Sequence, residues 1–126
     1  MRAVISGMAL TLILWTVSHA QEQPRTVGVY KDHISADRKK GATVDHTLHH
    51  MLYLTGIGDG FRIINKHRLA RGESPLYCVP DDTLLGGADY MKILDNALFR
   101  TDSSIENHLP VAEAMLIALV AEYPCE

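Results

Sequence analysis

Apolar residues recur at helical spacing in three stretches of the chain, and the alternation typical of strands is almost absent. The first stretch runs from about residue 44 to 65, and its apolar positions are Val44, Leu48, Met51, Leu52, Ile57, Phe61 and Ile64. This spacing predicts an amphipathic helix with one apolar stripe. Thr43 is a suitable N-cap, and the basic residues Lys66 to Arg68 suit the negative end of the helix.

Two further helices are predicted nearer the C-terminus. The second begins at Asp82 or Thr83, ends near Phe99, and places apolar residues at Leu84, Ala88, Met91, Leu94 and Leu98. The third follows Pro110 and ends at residues 123–125, with Val111, Met115, Ala118, Leu119 and Glu122 along one flank. Because residues 114–121 carry no charge, we expect this helix in the middle of the bundle. Residues 21–41 are polar, with only Val27, Val29 and Tyr30 locally apolar, and no helix is predicted there.

Three glycines interrupt the first predicted helix, at positions 56, 58 and 60. Each glycine inside a helix costs about 1 kcal/mol relative to alanine, so a structural reason is expected. Gly56 and Gly60 are four residues apart and share one helix face. We therefore predict that another helix approaches closely at these two positions, with a kink as the alternative.

The N-terminus has the pattern of a secretory signal peptide. Arg2 precedes an apolar run from Ala3 to Val17, and Ser18-His19-Ala20 provides small residues before Gln21. A retained membrane anchor is the competing interpretation, but a span needs about 20 apolar residues and this run is shorter. We predict residues 1–20 as a signal peptide and 21–126 as a single exported domain, periplasmic and not membrane-bound after cleavage.

Composition and charge narrow the class of protein. The chain has 126 residues with 12 Lys and Arg against 15 Asp and Glu, which makes one domain the expectation and excludes a multidomain enzyme. Its slightly acidic balance lacks the basic footprint that nucleic acid or anionic lipid requires. Nucleic acid is therefore not an expected partner.

The two cysteines, Cys78 and Cys125, are expected to form a disulfide in an oxidising compartment. Cys78 is followed by Val79-Pro80, and neither cysteine has a flanking signal for an activated thiolate. The bond joins the start of the second predicted helix to the end of the third, which requires antiparallel packing. The expected fold class is therefore all-α, a small antiparallel helical bundle with one disulfide.

No catalytic or cofactor site is identified from the residues. His46 and His50 are four apart and could bind one divalent ion, but the zinc-protease pattern needs Glu where Thr47 stands. Both histidines lie away from the apolar stripe, so we expect them to be solvated, with a weak metal site left open. The run from Gly56 to Gly60 lacks phosphate-loop spacing, and Asp81-Asp82 suits a helix start. We expect no enzyme, no metal and no cofactor.

Three segments in a fixed order resemble a known family. They are Tyr53–Phe61, Tyr77–Asp82, and His108–Ala112 continuing to Ala118–Cys125. Together they are similar to the signature of the Rap/Tai family of type VI secretion immunity proteins, over about residues 48 to 125. The final aromatic is Tyr123, where the family has Phe, and the further cysteines that many members carry near the central helix are missing here.

The resemblance implies an all-helical periplasmic protein, often a homodimer, that binds and blocks an amidase toxin directed at the cell wall. It also implies that Cys78 and Cys125 are the family's closing pair, that Tyr53, Gly56, Asp59 and Gly60 are its central-helix packing positions, and that Pro80, Pro110 and Pro124 mark loop and helix ends. We therefore expect a peptidoglycan amidase effector as the partner. A periplasmic stress chaperone or a histidine-based metal-binding protein are the alternatives.

Overall fold

The computed structural model describes residues 25–39 and 45–126 as a bundle of four helices. These are α1 (Val27–Asp37), α2 (His46–Ala70), α3 (Gly87–Leu98) and α4 (Val111–Glu122). The described ranges contain no strand, and Thr26 and Pro110 form one isolated bridge. The predicted all-α bundle with one disulfide is confirmed. In these ranges no helix is both long and apolar enough for a membrane span. The predicted signal peptide and the predicted cap Thr43 lie outside them.

Helix α1 occupies the segment that the pattern analysis left without a helix. Val27, Tyr30 and Ile34 are buried at spacings of three and four residues, which is one face of a helix. Thr26 caps the helix, since its hydroxyl accepts a hydrogen bond from the Val29 N–H at 3.4 Å. Ile34 completes the apolar stripe that Val27 and Tyr30 begin, and the interpretation of this segment as polar missed it.

The start of α1 is tied to the start of α4 by backbone hydrogen bonds. The N–H of Val27 donates to the carbonyl of Leu109 at 2.9 Å, and the N–H of Val111 donates to the carbonyl of Arg25 at 2.8 Å. These bonds use backbone groups at helix starts that have no partner within their own helices. Two helices that are far apart in sequence are thereby held side by side.

Helix α2 begins at His46 and is longer than predicted, since it continues to Ala70. Asp45 is its N-cap and accepts a hydrogen bond from the Leu48 N–H at 3.3 Å. His67 and Arg68 lie in its last turn, as predicted, where positive charge opposes the negative end of the helix dipole.

The buried face of α2 differs from the predicted stripe. Its buried residues are His50, Leu54 and Gly58, each one turn after the last. Leu48 and Leu52, which the prediction placed in the stripe, are 53% and 65% exposed. Apolar residues on α2 lie on more than one side: Ile57 and Phe61 of the predicted stripe pack against the core, whereas the prediction is wrong for Leu48 and Leu52.

The close helix crossing is at Gly58, whereas the prediction placed it at Gly56 and Gly60. A Cβ at Gly58 would overlap the ring of Tyr90 in α3, whereas a Cβ at Gly56 or Gly60 would meet nothing within 4 Å. Gly87, the first residue of α3, has the same role from the other side, because a Cβ there would lie 2.7 Å from the carbonyl oxygen of Met51. The predicted packing role of Gly56 and Gly60 is therefore wrong, and α2 and α3 cross at Gly58 and Gly87.

Helix α3 starts later than predicted, at Gly87 instead of Asp82 or Thr83. Asp89 accepts a hydrogen bond from the Gly86 N–H at 2.9 Å, which satisfies a donor at the helix start. The preceding residues form a turn, in which the Thr83 N–H donates to the Pro80 carbonyl, followed by residues 83–86 without regular secondary structure. Asp81 and Asp82 are exposed in this turn and cap no helix, which corrects the predicted role.

Helix α4 has the predicted bounds and directly follows Pro110. Its buried residues line one side, and they are Val111, Ala114, Met115, Ala118 and Leu119. Ile117 and Val120 on the other side are 44% and 42% exposed. Helix α4 contacts each of the other three helices, as expected for the middle of the bundle, but the side that carries Ile117 and Val120 is not covered.

The disulfide joins Cys78 to Cys125, with the Cα atoms 5.1 Å apart. The backbone reinforces it, since the Cys78 N–H donates to the Tyr123 carbonyl at 2.9 Å. The loop before α3 and the residues after α4 are therefore held together at one end of the molecule. This is the antiparallel relation that the predicted pairing required.

Candidate functional site

An open groove of about 640 Å³ lies between the second half of α2 and the loop that leads to α3. Arg62, Lys66 and Leu69 form its α2 wall, and Val79 and Leu84 belong to the loop wall. The buried rings of Tyr77 and Tyr90 also line it. We call this feature the α2–loop groove.

Asn65 holds the loop wall against α2. Its side-chain amide donates to the Tyr77 carbonyl at 3.0 Å, and its side-chain oxygen accepts from the Leu76 N–H at 2.7 Å. Both ends of one side chain are therefore used to fix two successive loop residues. Asn65 is the last residue of the helix predicted over residues 44–65, and its amide at that position is the one local signal for this role.

A tight turn at the end of α2 directs the chain back along the groove. Gly72 has a φ of +72°, a backbone conformation that favours glycine. Glu73 then pairs with Arg71 at 2.6 Å and with Arg68 at 3.3 Å. The hydrogen bond from Arg71 holds the pKa of the Glu73 carboxyl below its ordinary value, so this turn keeps its ion pairs at neutral pH.

The two tyrosines that line the groove stay uncharged at neutral pH. Burial, aided by the neighbouring Tyr90, raises the pKa of Tyr77 to about 12. Burial also raises the pKa of Tyr90, with a further contribution from Asp59. Both phenols therefore remain neutral, and the two buried rings offer an apolar surface with polar edges.

The edges of the groove combine exposed leucines with charge. Leu84 is 87% exposed and Leu69 is 59% exposed, so two large aliphatic side chains stand in solvent beside the groove. Arg62 pairs with Asp59 at 3.1 Å, and Lys66 lies on the same wall. An exposed apolar patch with a polar rim is typical of a protein-binding surface.

The structure brings part of the predicted site together at this groove. Cys78 and Pro80 line it, and Asp59 reaches its edge through Arg62. Gly56 lies exposed on α2, away from any packing partner. The motif segments Tyr77–Asp82 and Ala118–Cys125 are joined by the disulfide, whereas Gly58 of the segment Tyr53–Phe61 contacts Tyr90 of α3.

Other predicted positions have structural places away from the groove. Tyr53 is half-buried beneath the guanidinium of Arg25, whose carbon lies 4.5 Å from the ring centre. Pro110 precedes α4 and bridges to Thr26. Pro124 is exposed between the end of α4 and Cys125.

A second group of polar side chains lies at the start of α2. The prediction that His46 and His50 are both solvated is wrong: His50 is 5% exposed because α1 packs over it, and His46 is partly buried with its Nδ1 2.7 Å from Asp37 Oδ1. The partner of His50 is His33, whose Nδ1 lies 3.2 Å from His50 Nε2. Across residues 25–39 and 45–126, no three His, Cys, Asp or Glu side chains are arranged to hold a metal ion.

In three comparisons with known proteins, the chain matches no family model, no curated protein and no solved structure.

Proposed function

We propose that this chain is an exported immunity protein of the Rap/Tai type, which binds a type VI secretion cell-wall amidase and occludes its active-site cleft. One observation carries the proposal. The segment Tyr77–Asp82, which resembles the family, forms part of the loop wall of the α2–loop groove, and the disulfide ties it to the segment Ala118–Cys125. A surface that includes this segment is where a family function would be expected to lie.

The groove has the physical properties that binding by shape requires. A standard interface takes about 800 Å² from each partner, and its energy is concentrated in a few apolar anchors. Leu84 and Leu69 are exposed aliphatic side chains of this kind. Asn65 and the Cys78–Cys125 bond hold the loop in place, so that little ordering entropy is lost on binding.

The proposed inhibition is non-covalent. The exported domain would cover the amidase cleft, and the positive side chains Arg62 and Lys66 at the groove edge would meet acidic groups of the enzyme. In this proposal the chain is periplasmic, loses residues 1–20 on export and acts as a homodimer. Mass analysis of the exported product and light scattering of the purified domain measure the last two points.

The test is binding and inhibition with mature protein, residues 21–126, and candidate cell-wall amidases. We expect a complex on co-purification and loss of peptidoglycan hydrolysis in the presence of the domain. Leu84→Arg should weaken binding by about 30-fold or more, as for an interface hot spot worth about 2 kcal/mol. Leu52→Arg is the matched control, because Leu52 is also an exposed leucine but lies on α2 outside the groove lining.

Two results would contradict the proposal in different ways. If no amidase binds, and cells without the protein survive delivery of amidases to the periplasm, the function is wrong. If an amidase binds but Leu84→Arg and Leu52→Arg bind as tightly as the unmodified domain, the function stands and the groove is the wrong surface.

A further inference from the structure

Three histidines meet where the second half of α1 packs on the first turns of α2. His33 comes from α1, and His46 and His50 come from α2. The rings of His33 and His46 stack with centres 4.3 Å apart, and those of His33 and His50 are 5.3 Å apart. We call these three residues the histidine cluster. It lies outside the α2–loop groove.

The contact between His33 and His50 depends on their protonation. Nδ1 of His33 and Nε2 of His50 are 3.2 Å apart, so one nitrogen must donate and the other must be a bare acceptor. When both rings are cationic, every ring nitrogen carries a proton and two N–H groups face each other. The His33–His50 contact between α1 and α2 is therefore a hydrogen bond while one of the two rings is neutral, and a repulsion when both are cationic.

The other nitrogen of His50 also disfavours a charged ring. Nδ1 of His50 is buried and has no hydrogen-bond partner within the described part of the chain. In the neutral ring, Nε2 can carry the proton and Nδ1 can stay bare. Protonation would place an N–H at Nδ1 where no described acceptor lies, which costs the desolvation of that group. Tyr30 packs its ring edge-on against His50, with centres 4.7 Å apart.

Most of the titratable and charged groups around His50 lower its pKa. Burial lowers the pKa of His50 to about 4, and His33, Arg25 and His46 add to the effect, while Asp37 opposes it. Asp37 is already engaged, since Oδ1 lies 2.7 Å from His46 Nδ1, and Oδ2 accepts from the Thr47 N–H and hydroxyl. From α3, Asp95 contacts Tyr30 and not the cluster. No described side chain supplies a third metal ligand to the His33–His50 pair.

We propose that the histidine cluster is an acid-sensitive latch, in which proton uptake by His50 releases the second half of α1 from α2. The first half of α1 would stay in place. Its bonds to α4, from Val27 to Leu109 and from Val111 to Arg25, join backbone groups that do not titrate in this range. Release would expose Ile34 and His50, both buried at neutral pH. The latch does not depend on which partner the groove binds.

Amide hydrogen exchange on the mature domain tests the latch directly. Because the His50 pKa is about 4 folded and about 6.5 in an open state, the opening equilibrium should rise roughly 100-fold between pH 7 and pH 4. Protection of the α1 amides at residues 33–37, corrected for intrinsic exchange, should fall by that factor. Protection of α4 amides at residues 115–119 should change far less.

Variants separate the latch from general acid unfolding. His50→Phe should keep the protection of residues 33–37 nearly constant over this range, while His49→Gln should behave like the unmodified domain. His49 is the adjacent, exposed histidine, and its Nδ1 hydrogen-bonds to the Asp45 carbonyl of its own helix start at 3.0 Å.

An NMR titration of His50 needs no variant and keeps the test valid if His50→Phe fails to fold. We expect the ring to stay neutral until about pH 4. The latch is overturned if His50 titrates near pH 6.5, or if α1 and α4 amides lose protection together.

Discussion

The ring of Tyr90 in α3 lies directly over the backbone of Gly58 in α2, in the space that a side chain at position 58 would need. Tyr90 is buried there and also lines the α2–loop groove. The missing Cβ of Gly58 thus lets the helices approach and places an aromatic ring in the groove. A glycine that weakens α2 as an isolated helix strengthens the contact between α2 and α3.

Gly58→Ala should destabilise the domain by about 1–3 kcal/mol, because the Tyr90 ring must move from its packed position. Gly56→Ala should instead stabilise it by about 0.5–1 kcal/mol, since its Cβ would meet open space and alanine favours a helix. Urea unfolding followed by circular dichroism at 222 nm measures both. Equal effects at the two positions would show that the crossing is not at Gly58.

Replacing both cysteines, as Cys78→Ser with Cys125→Ser, should lower the free energy of unfolding by about 4 kcal/mol. The bond closes a loop with a sequence separation of 47, and opening it returns chain entropy to the unfolded state. The same unfolding measurement, made on the double variant and on the unmodified domain with and without reductant, checks the value. A loss below about 1 kcal/mol would mean that native packing alone holds the groove end together.

Tyr30→Phe should cost about 1.5–3 kcal/mol. The Tyr30 hydroxyl donates to Asp95 Oδ1 at 2.7 Å, and hydrogen bonds to charged groups lie in that range. Arg38 lies 3.5 Å from the other Asp95 oxygen and would remain. A double-mutant cycle with Asp95→Asn isolates the pair, and additive effects would contradict a direct bond between them.

Asn65→Ala should destabilise the domain by about 1–3 kcal/mol and loosen the loop wall of the groove. It leaves the Leu76 N–H and the Tyr77 carbonyl without the partners that Asn65 supplies. Hydrogen exchange at the Leu76 amide reports the local effect. Lys66→Ala is the control, because Lys66 is an exposed residue on the same wall. Unchanged protection at Leu76 in Asn65→Ala would show that Asn65 does not hold the loop wall in place.

The stability of the domain should fall as the pH decreases from about 6.5 to about 4. The folded-state pKa of His50 is lowered to about 4, so above pH 6.5 the ring is neutral in both states and this stability is fully present. Between pH 6.5 and pH 4 the unfolded chain binds a proton that the folded domain does not, which favours unfolding. The contribution lost over this window is up to about 3 kcal/mol. Urea midpoints at several pH values measure it, and His50→Phe should flatten the profile. A profile unaffected by that substitution would place the acid sensitivity elsewhere.

The carboxyl of Asp37 does not contribute to the loss of stability between about pH 6.5 and pH 4. Burial opposes its charge, but hydrogen bonds from His46 and Thr47 outweigh burial and hold the pKa of Asp37 well below its ordinary value. Its stabilising effect is therefore lost only in stronger acid.

The candidate site was predictable in part. Cys78 and Pro80, which the motif segments singled out, line the groove, but the groove itself was not predicted. The pairing of Cys78 with Cys125 followed from their number and from the expected oxidising compartment. Asn65 was not identified, because its two hydrogen-bond partners lie on a loop whose path no local pattern specifies. The exposure of Leu84 was missed because its spacing suggested a helix that begins only at Gly87.

Local chemistry along the chain was sufficient to define α4, because Pro110 and the end of an uncharged apolar run mark its limits. The same holds for the all-α class, since helical spacing recurs in three stretches. Contacts between distant residues decided the rest. The packing of α1 and α3 against α2 decides which face of α2 is buried. The same packing explains why position 58 must be glycine and why the side chain of His50 is buried. The spacing of side chains is determined within one helix, whereas their burial depends on which other helices pack against it.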